Sequence, residues 1–176
     1  MFIRFISLIA LLISCSIAAL GTPPGCSPTW EPPEIHSIRL GMSVRQVKFR
    51  LPFLKIPRAD KYDVQASFLY VTTNRHQQKR LPRVFAIEMW FWKNRLVRYN
   101  LHYYGSETSD AIARFMNAIE SHFKLSEATR VSAHTYQCGN VSVSVAETLK
   151  RTVSLRDLEG EKILNRRVAE SYGLKP

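Results

Sequence analysis

Acidic side chains are scarce in this 176-residue chain: 14 Asp and Glu stand against 25 Lys and Arg, and the first of them is Glu31. The formal charge of +11 points toward anionic partners, although charge alone does not choose among lipid head groups, acidic polymers and acidic protein surfaces. Cysteine is equally sparse, at three residues, and none has a second cysteine or a histidine at zinc-ligand spacing. The five histidines (His36, His76, His102, His122 and His134) include no pair that one helix or strand would turn toward a metal, and each reads as a surface or edge residue. Also missing are a G-x-S-x-G elbow, a Walker loop and a dinucleotide fingerprint. Together these gaps exclude enzymes that carry a local motif, and the expectation is a protein with no enzymatic activity, no cofactor and no metal. A hydrolase with a dispersed site is the alternative; it would require at least two of Glu88, His102, His134 and Asp157 to meet in a cleft.

What is present begins with a leader. Residues 1–20 place one cation, Arg4, ahead of an apolar run short for a membrane span, which is the layout of a secretory signal. Two processing routes compete. Ala19-Leu20-Gly21 before Thr22 fits an ordinary signal-peptidase site, whereas Leu12-Ile13-Ser14-Cys15 resembles a lipobox in which Cys15 would be acylated. Cleavage after Gly21 would leave 24 basic against 14 acidic side chains, a mature charge of +10. Residues 22–34 form a Pro- and Gly-rich linker, and residues 35–176 are read as a single domain. The export route makes a Cys26–Cys138 disulfide the first expectation and demotes nucleic acid as a partner.

Within the domain, Gly41-Met42-Ser43 opens a helix. Ser43 and Gln46 make a capping box, Met42 and Val47 a hydrophobic staple, Val44, Val47 and Leu51 an apolar stripe, and Pro52 ends the run. Strands are expected over residues 62–73, 84–92, 96–104, 135–138, 141–145 and 152–156, and helices over residues 109–123 and 161–172. In the second strand Phe85, Ile87, Met89 and Phe91 share one face. The fold class is α+β: an antiparallel sheet of about five or six strands with helices packed on one face. The repeated helix-then-strands order hints at two loosely duplicated units.

Lys93-Asn94 leaves the hairpin register open. A two-residue loop aligns Trp90 and Trp92 with Val97, Tyr99 and Leu101; a three-residue loop places that trio beside Phe91, Met89 and Ile87, so that Trp90 and Trp92 join Arg98, Asn100 and His102 on a candidate aromatic binding face. Glu88, set within an apolar strand, requires a partner such as Arg98. Residues 74–83 carry Arg75, Lys79, Arg80 and Arg83 without an acid, a solvated loop or one that contacts an anion.

The stretch RLGMSVRQVKFRLP resembles the signature of the SmpA/OmlA, or BamE-like, family of outer-membrane lipoproteins through Gly41, Met42, Ser43, Val47, Leu51 and Pro52. It lacks the glycine that usually precedes the proline, and the chain continues well past one family unit. The resemblance implies an architecture shared with β-lactamase inhibitor proteins and an envelope protein that acts by contact with other proteins or anionic lipid, membrane-associated if lipidated. A secreted inhibitor or binding module presenting its sheet to an enzyme is the second reading.

Overall fold

The computed structural model describes residues 26–27, 30–71, 75–105, 109–147 and 151–173. The leader, with Cys15 and both processing sites, lies outside them. Seven strands make one open antiparallel sheet: β1 (Val64–Tyr70), β2 (Val84–Trp92), β3 (Arg95–Tyr103), β4 (Thr129–Ser132), β5 (Thr135–Cys138), β6 (Val141–Glu147) and β7 (Arg151–Asp157). Their order is β1-β2-β3-β7-β6-β5-β4, so two meanders meet where β3 pairs with β7. Among the described residues four helices accompany them, α1 (Val44–Arg50), α2 (Arg75–Arg80), α3 (Ser109–His122) and α4 (Leu158–Ser171), with a 3-10 turn at Leu125–Glu127.

The strand count exceeds the expected five or six. The additional strand, β4, is a four-residue edge whose side chains are mostly exposed, so no alternation marks it in the sequence. The helices also depart from the expected single face. Residues of α1 and α3 (Val47, Met116, Ile119) share the main core with Ile87, Met89, Phe91, Tyr99, Leu101, Val153 and Leu155, while α4 lies across the opposite face against Val64 and Val97. Phe85 is a further correction. A register shift between Val84 and Ala86 turns its ring to the second face, 5.7 Å from His102 and 5.3 Å from Tyr104.

Local signals around α1 act as their chemistry dictates. Ser43 Oγ accepts from the Gln46 amide at 3.2 Å, and the Gln46 side chain accepts from the Ser43 amide at 2.8 Å. Gly41, at φ +81°, turns the chain so that its amide donates to Leu96 and the Leu96 amide donates to Met42. Asn94 Oδ1 takes the Val44 amide at 3.2 Å, so the tip of the β2–β3 hairpin holds the first turn of α1. Val47 and Leu51 are buried beneath, each contributing about 1.5–3 kcal/mol.

The hairpin resolves its two registers by using both. Lys93 and Asn94 occupy positive φ (46° and 62°), the conformation of a two-residue type I′ turn, and Phe91 pairs with Leu96. A bulge at Val97 then shifts the ladder, so that Met89 faces Tyr99, Ile87 faces Leu101 and Trp90 faces Arg98. Cys26 and Cys138 are joined by a disulfide with Cα atoms 5.6 Å apart, which ties the N-terminal segment to β5.

Candidate functional site

Three surfaces gather the polar and aromatic residues that the sequence singles out. The first is cationic. Residues Arg75–Arg80 form the short helix α2 rather than an irregular loop; its exposed basic residues show no apolar period because Leu81 and Val84, just beyond it, supply the burial. The Arg80 guanidinium donates to the backbone carbonyl of Arg50, the last residue of α1. That carbonyl is one of the acceptors a helix leaves unpaired at its end, at the negative pole of its dipole, which suits a cation. The contact joins two basic segments: Lys48 and Arg50 of α1, and Arg75, Lys79 and Arg80 of α2, all exposed. Arg83 lies three residues beyond α2 and is exposed too. Among the described residues none of these cations has a carboxylate partner. Phe49 stands between Lys48 and Arg50 with 80% of its surface in solvent.

The second surface is the candidate aromatic face. The observed register does place Trp90, Trp92, Arg98, Asn100 and His102 on one side of the sheet, but α4 covers the first three. Asp157 caps that helix by accepting from the Gly160 amide at 3.1 Å. Gly160 then allows close approach: a Cβ there would lie 2.7 Å from Val97 Cγ1. Leu164 is buried against Val64 and Val97, and Trp90, Trp92, Tyr62 and Val168 pack around them half-buried. Arg98 lies over the Trp90 ring, 4.7 Å from its centroid, and donates to Glu161 Oε1 at 2.9 Å. Arg156 approaches the other oxygen at 3.8 Å. Glu161, only 7% exposed, is thus a carboxylate held between two guanidiniums, the arrangement that a buried charge requires.

Beyond α4 the same face remains open, and a polar network occupies it. Asn100 Nδ2 donates to Glu88 Oε2 at 2.9 Å, His102 Nε2 lies 3.3 Å from Glu88 Oε1, and His102 Nδ1 lies 2.8 Å from Thr152 Oγ1. Glu88 therefore finds Asn100 and His102 rather than the expected Arg98, which Glu161 takes. The cause is the Val97 bulge, which sets Glu88 opposite Asn100 and Trp90 opposite Arg98. A hydroxyl, an imidazole and a carboxylate in sequence can relay a proton. Thr152, however, is 9% exposed, and the other two candidates lie elsewhere: Asp157 caps α4 and His134 sits in the β4–β5 turn. Of the four candidates Glu88 and His102 therefore meet, on the second face of the sheet beside exposed Phe68 and Tyr70 of β1.

His36 and His102 are partly buried, against the expectation of surface positions. Burial lowers the His36 pKa below its usual value, and the Tyr103 hydroxyl lies 3.4 Å from its Nε2. Among the described residues no three His, Cys, Asp or Glu side chains gather where they could hold a metal ion, and no helix is long and apolar enough to cross a membrane. No family model, curated protein or solved structure matches the chain.

Proposed function

We propose that this chain is a non-enzymatic binding protein of the cell envelope, BamE-like in kind, which meets the anionic head groups of a membrane through the α1–α2 face. The observation that carries the reading is the hydrogen bond from Arg80 to the Arg50 carbonyl. It brings the basic end of α1, with exposed Phe49, against the cationic helix α2. Cations near an anionic bilayer contribute about 1 kcal/mol each, and an aromatic ring among them can enter the interface. The sequence resemblance to SmpA/OmlA proteins and the leader-like N-terminus support the compartment. The Cys26–Cys138 disulfide suits an oxidising one. Two meanders, led by α1 and α3 on a shared face, support the reading of a loosely duplicated unit of inhibitor-like architecture.

Sedimentation with phosphatidylglycerol-containing vesicles tests it. The chain binds at low salt, binds less as salt rises, and does not bind vesicles of phosphatidylcholine alone. Replacing Arg75, Lys79, Arg80 and Arg83 by Gln removes on the order of 4 kcal/mol, about a thousandfold in partitioning. Undiminished binding by this variant would clear the face of the role. A second reading, a module that presents its sheet to an enzyme, is favoured by the open polar strip beside Phe68 and Tyr70; recovery of one stoichiometric enzyme partner would support it.

A further inference from the structure

β1 is an outer strand of the sheet, hydrogen-bonded on one side to β2. Its other side begins capped. Asp60 donates its amide to the Val64 carbonyl at 3.0 Å and accepts the Val64 amide on Oδ1 at 2.9 Å. Because backbone groups alternate sides along a strand, Ala66, Phe68 and Tyr70 present their N–H and C=O groups to the same outer side as Val64. Among the described residues nothing hydrogen-bonds to these six groups. The Phe68 and Tyr70 rings, 4.7 Å apart, are 51% and 62% exposed beside them.

Unpaired edges are ordinarily protected by a charge, a proline, a bulge or shortness. The opposite edge of this sheet follows the rule: β4 has four residues, a register shift and Arg130. β1 has none of these protections; the segment beside it accepts from the Gln65 and Ser67 side chains through the Pro57 and Lys55 carbonyls and does not bond the outward backbone groups of Ala66, Phe68 and Tyr70. Its seven residues, VQASFLY, carry no charge and no proline, and its register with β2 is unbroken.

We propose that β1 pairs with β1 of a second copy of this chain, antiparallel and about a two-fold axis at Phe68, extending the sheet across the dimer. That register sets Ala66 opposite Tyr70 of the partner, Phe68 opposite Phe68 of the partner, and Tyr70 opposite Ala66 of the partner. It satisfies all six free groups of each copy and leaves the capped Val64 outside. It also places a large side chain against a small one on both sides of a central aromatic pair. Self-complementarity selects the occupant: the outward groups of Ala66, Phe68 and Tyr70 are symmetric about Phe68, and the strand itself carries no charge, while the +11 of each chain opposes association and keeps it weak and concentration-dependent.

Light scattering after size exclusion, over micromolar to millimolar concentrations of the purified chain, reads the outcome. A concentration-dependent rise from 20.3 kDa to twice that mass is expected, with amide exchange at Ala66, Phe68 and Tyr70 slowed in the dimer. Ala66→Lys with Tyr70→Lys sets cation against cation across the axis and weakens the dimer about tenfold or more. Ala66→Lys with Tyr70→Glu sets opposite charges there and restores it. All three side chains are exposed, and circular dichroism checks that the variants stay folded. A chain monomeric throughout would overturn the proposal. So would a monomer with these amides already protected, since another segment of the same chain would then cover the edge. Equal dimerisation of the two double variants would overturn the register and the surface with it. None of these readouts depends on membrane binding.

Discussion

His36 occupies a two-residue turn with Ser37, at φ 51° and 63°, closed by the Ile35–Ile38 bridge, and its ring is half-buried near Tyr103. Burial without a carboxylate partner favours the neutral imidazole, so the folded pKa falls below the unfolded value of about 6.5. The unfolded chain then binds a proton that the folded chain refuses. The stability this site contributes is complete above pH of about 6.5 and declines as pH falls toward the lowered folded pKa. His36→Asn, which tolerates the positive φ, is expected to flatten the fall in melting temperature between pH 7.5 and 5.5 relative to the parent chain. An unchanged slope would mean that the ring is not held neutral. Glu88 teaches a related point at the same scale. Its need for a partner follows from its place in an apolar strand, but the identity of that partner depends on a single inserted residue, Val97, in the neighbouring strand.

Among the elements, α1 is the one most fully written in local sequence. Its cap, staple residues and stop all lie within twelve residues, and the capping box and the closing Leu51-to-Val47 hydrogen bond form between near neighbours. Ser43→Ala removes an acceptor from the Gln46 amide and is expected to cost about 0.5–2 kcal/mol, read as a lower denaturation midpoint with an unchanged slope. The basic face should loosen in the same variant, because α1 supplies the Arg50 carbonyl that Arg80 grips. By contrast, α2 and β4 were illegible: one has no buried residue and the other only a partly buried Thr129, so neither shows a hydrophobic period. α4 was legible as a helix but not in position. Its seat on the second face depends on Gly160 meeting Val97 and on Glu161 meeting two arginines from different strands.

At the scale of the whole molecule, the Cys26–Cys138 bridge closes a span of 112 residues, while Trp30 just beyond Cys26 packs against the main core. In the chain-entropy picture a loop of this length contributes on the order of 4 kcal/mol, equivalent to roughly 10 °C in the midpoint for a domain of this size. Thermal melts with and without reductant should differ by that order, and Cys26→Ser with Cys138→Ser should match the reduced chain. Coincident melts would show that the bridge holds only a terminus. The charge distribution belongs to this scale too. Arg98 and Arg156 are paired with Glu161, whereas the cations of α1 and α2 remain in solvent, where a partner can meet them.

Nearest neighbours, and so the sequence alone, decide the capped entry to α1, the presence of a turn at Lys93-Asn94, the alternation of β2 from Ile87 onward, the cysteine pair and the excess of cations. Those follow from short-range sterics, hydrogen bonds and composition. Only the tertiary structure decided which side of the sheet each element covers. Burying Trp90 and Trp92 under α4, turning Phe85 outward and joining α2 to α1 are settled by contacts between segments tens of residues apart. In a two-faced sheet a one-residue bulge reverses inside and outside, and no local pattern records where that residue will fall.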